Sequence, residues 1–211
     1  APGSSINTVG ALSVYWQGRI WMVVGNYVYY TSGPDCTNGI PEEAWAPGNR
    51  FQFSGPVLNL EPTADGVALL VFLADRVNAI LGGPETISFY ATDFLSNFGI
   101  SNSNAIFRDG STIGLFTTQK QYFELLGAQK EDVGKNISNY LAANFSASKS
   151  YVTMHRDGTD VGLFISNGVD RILRFGPDVP SWSVPAFPSF GAGAMRSVET
   201  SVGVYSLLLA T

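Results

Sequence analysis

Three aspartates in this sequence recur at the same point of a long period. Asp65, Asp109 and Asp157 are each followed by glycine, at Gly66, Gly110 and Gly158. Carboxylates brought together from such intervals could serve as the acid and base that flank a glycosidic bond. The same residues have a second reading as turn chemistry. Glycine takes positive φ without steric cost, and aspartate bonds the backbone two residues on, so Asp-Gly between apolar runs predicts a tight hairpin. The turn reading is preferred, because a hydrolase would need paired acids away from the turns.

The remaining reactive residues are few. His155 is the single histidine and Cys36 the single cysteine. A nucleophile activated by His155 would need Cys36 or a serine beside it in space, and neither residue sits in a recognisable local motif. One His and one Cys cannot build a zinc site, and the acidic residues lack the spacing of a calcium loop. No phosphate-binding glycine motif leads from a strand into a helix. With one cysteine, no disulfide forms within the chain. The expectation is a protein that is not an enzyme, with no catalytic residue, metal or cofactor. Trp45 and Trp182 lie in the proline- and glycine-rich stretches 31–48 and 178–193. They are the first candidates for a partner-binding surface, since exposed aromatics stack on sugars or anchor proteins. The alternative is that each folds back over a sheet edge.

Composition narrows the classes. Hydrophobic residues make up 45% and charged residues 14% of the 211, against roughly 25% charged in an average soluble domain. The formal net charge is −5 with 12 Lys and Arg, and no basic run is present. Direct binding of nucleic acid, which depends on neutralising phosphates, is therefore not expected. No window approaches the roughly 18 apolar residues of a spanning helix. Asn136-Ile137-Ser138 and Asn144-Phe145-Ser146 match the glycosylation triplet, which matters only in a secretory pathway.

The elements that must position these residues follow from the repeat. A glycine turn opens into an apolar strand five times: Gly18 before Ile20 to Val24, Gly66 before Val67 to Leu73, Gly110 before Ile113 to Phe116, Gly158 before Val161 to Phe164, and Gly203 before Tyr205 to Leu209. A third strand follows in the first four units, at 27–30, 77–81, 122–126 and 171–175. A fourth is read at 51–53, 87–90 and 181–184. The echo between 93–98 and 139–145 predicts a short helical turn before the next unit. The turn glycines are spaced by 48, 44, 48 and 45 residues, and such a period with four strands per unit predicts a β-propeller of antiparallel blades, whereas a sandwich shows no long period. Runs such as Val67 to Leu73 are apolar without alternation, as expected of inner strands covered on both faces. The expectation is a single propeller domain over 1–211, with about four complete units and a truncated fifth. It is taken to be incomplete at the C-terminus, the ring being finished by further chain or by a partner.

The hairpins Asn104 to Thr112 and Asp157 to Gly168, with the terminal Arg196 to Thr200 and Gly203 to Leu209, resemble blades of propeller-type virion proteins of tailed bacteriophages. The resemblance implies a non-enzymatic structural component of the particle, in its tail or connector, assembled in the host cytoplasm. Its propeller faces would dock other virion proteins in a symmetric homo-oligomer or multi-protein assembly. A carbohydrate-binding propeller, lectin-like or receptor-binding, is the alternative. It predicts equivalent aromatics in each repeat, but Trp21 is matched by Leu69, Leu115 and Leu163. A propeller glycoside hydrolase is the second alternative.

Overall fold

A computed structural model describes residues 12–32, 45–46, 48–83, 88–127, 129–145, 153–157, 162–166, 172–175, 181–183, 194–199 and 205–210. The chain divides into two compact units, 1–99 and 100–211.

The first unit holds two four-stranded antiparallel sheets. One is built in sequence order from β1 (Ser13–Trp16), β2 (Arg19–Val24), β3 (Tyr27–Tyr30) and β4 (Arg50–Gln52). The other is built likewise from β5 (Asn59–Pro62), β6 (Ala68–Phe72), β7 (Arg76–Leu81) and β8 (Tyr90–Ser96). Strand β1 lies beside β5, so the sheets approach through their first strands. Trp16, Trp21, Val28 and Phe53 of the first sheet pack with Leu60, Leu69, Val71, Ile80 and Phe89 of the second. All five residues of β6 are buried. Leu69 and Val71 fill this shared core, while Ala68, Leu70 and Phe72 are buried on the opposite face. Each such Leu or Phe stabilises the fold by roughly 1.5–3 kcal/mol.

The second unit repeats the plan. Strands β9 (Ile106–Asp109), β10 (Thr112–Phe116), β11 (Tyr122–Leu126) and β12 (Gln129–Glu131) form one sheet. A 3-10 turn at Lys135–Ile137 leads into the helix α1 (Ser138–Asn144). Strands β13 (Thr153–Asp157), β14 (Gly162–Ser166), β15 (Ile172–Phe175) and β16 (Trp182–Ser183) form the next sheet, and β17 (Ala194–Glu199) pairs with β18 (Tyr205–Ala210). First strands again run in series, with β13 beside both β9 and β17. Helix α1 delivers Leu141 to a core of Ala105, Phe107, Phe116, Tyr122 and Ile165, and Phe145 follows it in. Lys120 Nζ bonds the carbonyl of Ala142 at 2.9 Å, near the helix end where a cation is favoured.

The fold is thus all-β with a repeated four-stranded antiparallel unit, as the periodicity predicts. Two elements differ: β12 gives the third unit a fourth strand where none is expected, and β8 is displaced. The fourth strand expected at 87–90 lies at Tyr90–Ser96, across the segment read as a helical turn. Strand β7 offers six residues for pairing, and a register shift between Val77 and Asn78 lets β8 follow it throughout. Asn78 Nδ2 donates to Asp93 Oδ1 at 2.7 Å, holding that side chain to the sheet. Asn97, at φ +56°, then ends the strand, and the Phe98 amide bonds the carbonyl of Asp75. The helical turn at 139–145 is observed, as α1.

Gly99 runs against the backbone of its own unit, where a Cβ would overlap the Leu73 and Ala74 carbonyls. Backbone cannot give way as a side chain can, so Gly99→Ala is expected to cost about 1–3 kcal/mol, the usual penalty of overpacking. At Gly55 the added methyl would meet only Leu73 Cδ2, at an ordinary 3.8 Å. Gly55→Ala should stay within about 0.5 kcal/mol of the parent. Urea midpoints of the two variants check the contrast.

Candidate functional site

The glycine turns carry the recurring aspartates, and each turn uses its residues differently. Trp16 pairs with Arg19, leaving Gln17-Gly18 as a two-residue loop with φ of +50° and +70°. Positive φ at both positions is the type I′ hairpin, whose twist matches that of the strands it joins. Trp16 Nε1 and Gln17 Nε2 both donate to the carbonyl of Gly66, at 2.8 and 2.7 Å. The first two turns of the repeat are thereby tied together.

Asp65 is committed to its own loop. Its Oδ1 accepts from Thr63 Oγ1 at 2.6 Å and from the Val67 amide at 3.1 Å, while the Gly66 amide donates to the Thr63 carbonyl at 2.9 Å. The Thr63 hydroxyl first, and the Val67 amide second, hold the exposed carboxyl below the ordinary aspartate value. This is the environment of a turn-forming carboxylate that stays ionised. A general acid would need the opposite shift.

Asp109 ends β9 opposite Thr112, and Gly110 at φ +56° opens the intervening two-residue loop. Positive φ at the first central position is the type II′ hairpin, which calls for glycine there. Asp157 ends β13 opposite Gly162, and His155 stands opposite Phe164 on the same strand pair. Gly158, Gly203 and Cys36 lie outside the described residues. Among the described residues, no three His, Cys, Asp or Glu side chains gather as metal ligands.

The two tryptophans occupy unlike places. Trp182 stands half-buried on β16, the fourth strand expected at 181–184. It meets the Tyr122 ring edge-on at 5.5 Å, and its Nε1 reaches the Val133 carbonyl at 3.4 Å. Part of its surface packs against the core of its unit. Trp45 is half-buried at a bend.

An exposed apolar surface lies elsewhere in the first unit, on the face of the first sheet turned away from its core. Tyr15 is 70% exposed and Ile20, its direct cross-strand partner, 44%. Met22, Tyr27 and Tyr29 continue this face and are half-buried. The Tyr27 and Tyr29 rings lie 6.0 Å apart, and the Arg50 guanidinium sits 5.2 Å from the Tyr27 centroid. Sequence reading passed over this face in favour of Trp45 and Trp182. Its signal was present in β2, where Ile20, Met22 and Val24 are apolar at the positions alternating with buried Trp21.

No family model matches the chain, and none of the curated proteins does. The fold resembles that of a candidate 6-phosphogluconolactonase from Bacteroides uniformis. That structure aligns with a TM-score of 0.54 over 94% of this chain and 70% of its own, at 11% identity. A chain of the heterotrimeric Nup82–Nup159–Nup145N complex of Chaetomium thermophilum aligns over 88% of this chain and 46% of its own, with a TM-score of 0.48 and 10% identity.

The first of these corrects the expectation that the chain is not an enzyme. That expectation rested on the lack of a local catalytic motif and on the resemblance to non-enzymatic virion propellers. The same architecture occurs in a protein described as a lactonase, so the architecture does not argue against catalysis. The lack of a motif fails for a physical reason. Sites on repeated sheets are assembled from side chains on separate loops, which leave no contiguous signature.

The Asp65 turn makes a pH-dependent prediction. A carboxyl whose pKa is lowered on folding stabilises the fold above its unfolded value, about 3.9, and loses that contribution as pH falls through the folded value. A carboxyl-carbon titration should place the Asp65 midpoint below the ordinary value. Thr63→Ala, which removes the leading donor, should move that midpoint upward.

Proposed function

We propose that the chain forms a β-propeller, or the larger part of one, and serves as a docking component of a bacteriophage particle. The propeller reading is supported by first strands that lie side by side in series within each unit, as they do when four-stranded blades repeat around an axis. The phage reading follows the resemblance of the hairpins at 104–112 and 157–168 to virion propellers.

The observation that carries docking is the open apolar face of the first sheet, from Tyr15 and Ile20 to Tyr27 and Tyr29. Within the chain, the opposite face of that sheet is covered by a sheet of the same repeat. The occupant that suits the open face is therefore another such sheet, supplied by a neighbouring copy of the chain in a symmetric assembly. An aromatic and aliphatic centre with Arg50 at its margin has the composition of such a contact.

A second reading, hydrolysis of a sugar lactone, is favoured only by the likeness to the candidate lactonase. Turnover of 6-phosphogluconolactone by the purified chain would establish it directly.

The docking role is tested with a double variant, Tyr15→Lys with Ile20→Glu, which places opposite charges on this cross-strand pair. Both positions are exposed, so the melting temperature should hold. Light scattering should show loss of self-association, and mass spectrometry of purified particles should find the parent incorporated and the variant excluded. Equal incorporation of the variant, or absence of the parent from particles, would overturn the role.

A further inference from the structure

Each sheet of the repeat has two unlike faces, and the register of its first hairpin tells them apart. The pairs that close these hairpins are Trp16 with Arg19, Thr63 with Ala68, Asp109 with Thr112 and Asp157 with Gly162. The first hairpin has a two-residue loop and the second a four-residue loop, so the counterpart of Leu69 is Ile20, not Trp21. One residue past the closing pair stand Ile20, Leu69, Ile113 and Leu163, and three past it stand Met22, Val71, Leu115 and Ile165. Side chains alternate along a strand, so these positions share one face, the rear one. Arg19, Trp21 and Val23 lie on the forward face.

Both units join their sheets the same way round. In the first, Trp16, Trp21 and Val28 on the forward face of the first sheet pack on Leu69 and Val71, on the rear face of the second. In the other unit, Phe107 and Phe116 lie on the forward face of the sheet of β9 to β12. They pack with Ile165, on the rear face of the sheet of β13 to β16. A rear face is thus half of a seam that a forward face completes. Leu69, Val71, Leu115 and Ile165 are 0% exposed and Ile113 is 4% exposed. Ile20 holds the same position in the first sheet and is 44% exposed, with Tyr15 across from it at 70%. The open apolar face of the first sheet is therefore a rear face.

We infer that the contact made by this face is heterologous: the rear face of one copy receives the forward face of a second copy, not that copy's own rear face. The inference rests on the docking role proposed above and fixes its polarity. The donor is the forward face of the sheet of β17 and β18, the last in the described series of adjoining first strands. Two rear faces would set Tyr15 and Ile20 against themselves, an arrangement that neither described seam uses. A forward face meets them in the geometry that the chain has already built twice, and it extends the same series of seams across the boundary between copies. Because donor and receiver are different surfaces, copies join head to tail, in a closed ring or an open filament.

The test mixes the double variant, Tyr15→Lys with Ile20→Glu, carrying a fluorescent label, with unlabelled parent, both as the full chain. The variant must keep the melting temperature of the parent, and Tyr15→Lys alone takes its place if it does not. Sedimentation velocity follows the label. By itself the variant should sediment as a monomer. With parent it should move in a larger species, because its forward face is intact and the parent's rear face is open to it. In large excess it should break parent assemblies down to one-to-one pairs. A variant that stays monomeric beside a self-associating parent means that two rear faces meet, which overturns the inference while the docking role stands. A parent that is itself monomeric overturns the docking role, and this inference with it.

Discussion

A strand that is apolar on both faces cannot stand at a surface, and the second strand of the repeat is such a strand. Every residue of β6 is buried, and in β10 the four residues Ile113 to Phe116 are buried as well. A lone sheet covers neither face of its middle strand, and so a strand with this run needs a packed layer on each side. In the first unit the requirement is met by interleaving Trp16, Trp21 and Val28 with Leu69, Val71 and Ile80. The first strands are then drawn side by side, and the turns that join first to second strands come within hydrogen-bonding reach. The bonds from Trp16 and Gln17 to the Gly66 carbonyl follow from that approach.

The same constraint explains where polar chemistry can reside. Between two apolar sheet faces, a polar side chain survives only by bonding backbone or by meeting another polar group. Trp21 Nε1 bonds the Trp16 carbonyl, and Arg19 bonds that of Thr31. Beyond the strand ends, in contrast, loops are wet and their side chains are free to shape turns. Asp65 does so, its carboxylate standing in for a backbone acceptor toward Thr63 and Val67. A carboxylate engaged in this way fixes the loop, and it is poorly placed to carry protons to and from a substrate.

The parts of this fold legible in the sequence are those with a strong local cause. Second strands were readable because burial on both faces demands an unbroken apolar run, and third strands because they are bound tightly to them. The glycine turns were readable because positive φ narrows the residue choice. Fourth strands were much less so. Strand β12 is fully exposed, and β8 is exposed over Tyr90 to Asp93. These are held by backbone pairing, which any residue but proline supplies, so they carry little pattern. That is why β8 was misplaced and the Asp93 segment read as helical. Candidate sites were legible to a similar degree. The role of Asp65 in its turn could be read from Asp-Gly, but the surroundings of Trp182 could not. Its partners Tyr122 and Val133 come from strand β11 and the stretch after β12, distant in sequence.

Distance along the chain also limits what a missing motif can mean. Gly66 accepts hydrogen bonds from residues 49 and 50 positions earlier, one full repeat away. Arg19 is boxed by Tyr30 from its own sheet and Phe89 from the next. In both cases the neighbours that define the chemistry are set by the stacking of sheets, not by adjacent sequence. A pattern search rewards residues that act together while lying close in the chain, as in a phosphate loop or a zinc finger. A repeated-sheet protein distributes its cooperating residues across the period instead. Its chemistry is therefore read by asking which buried polar groups the stacked sheets leave unmatched.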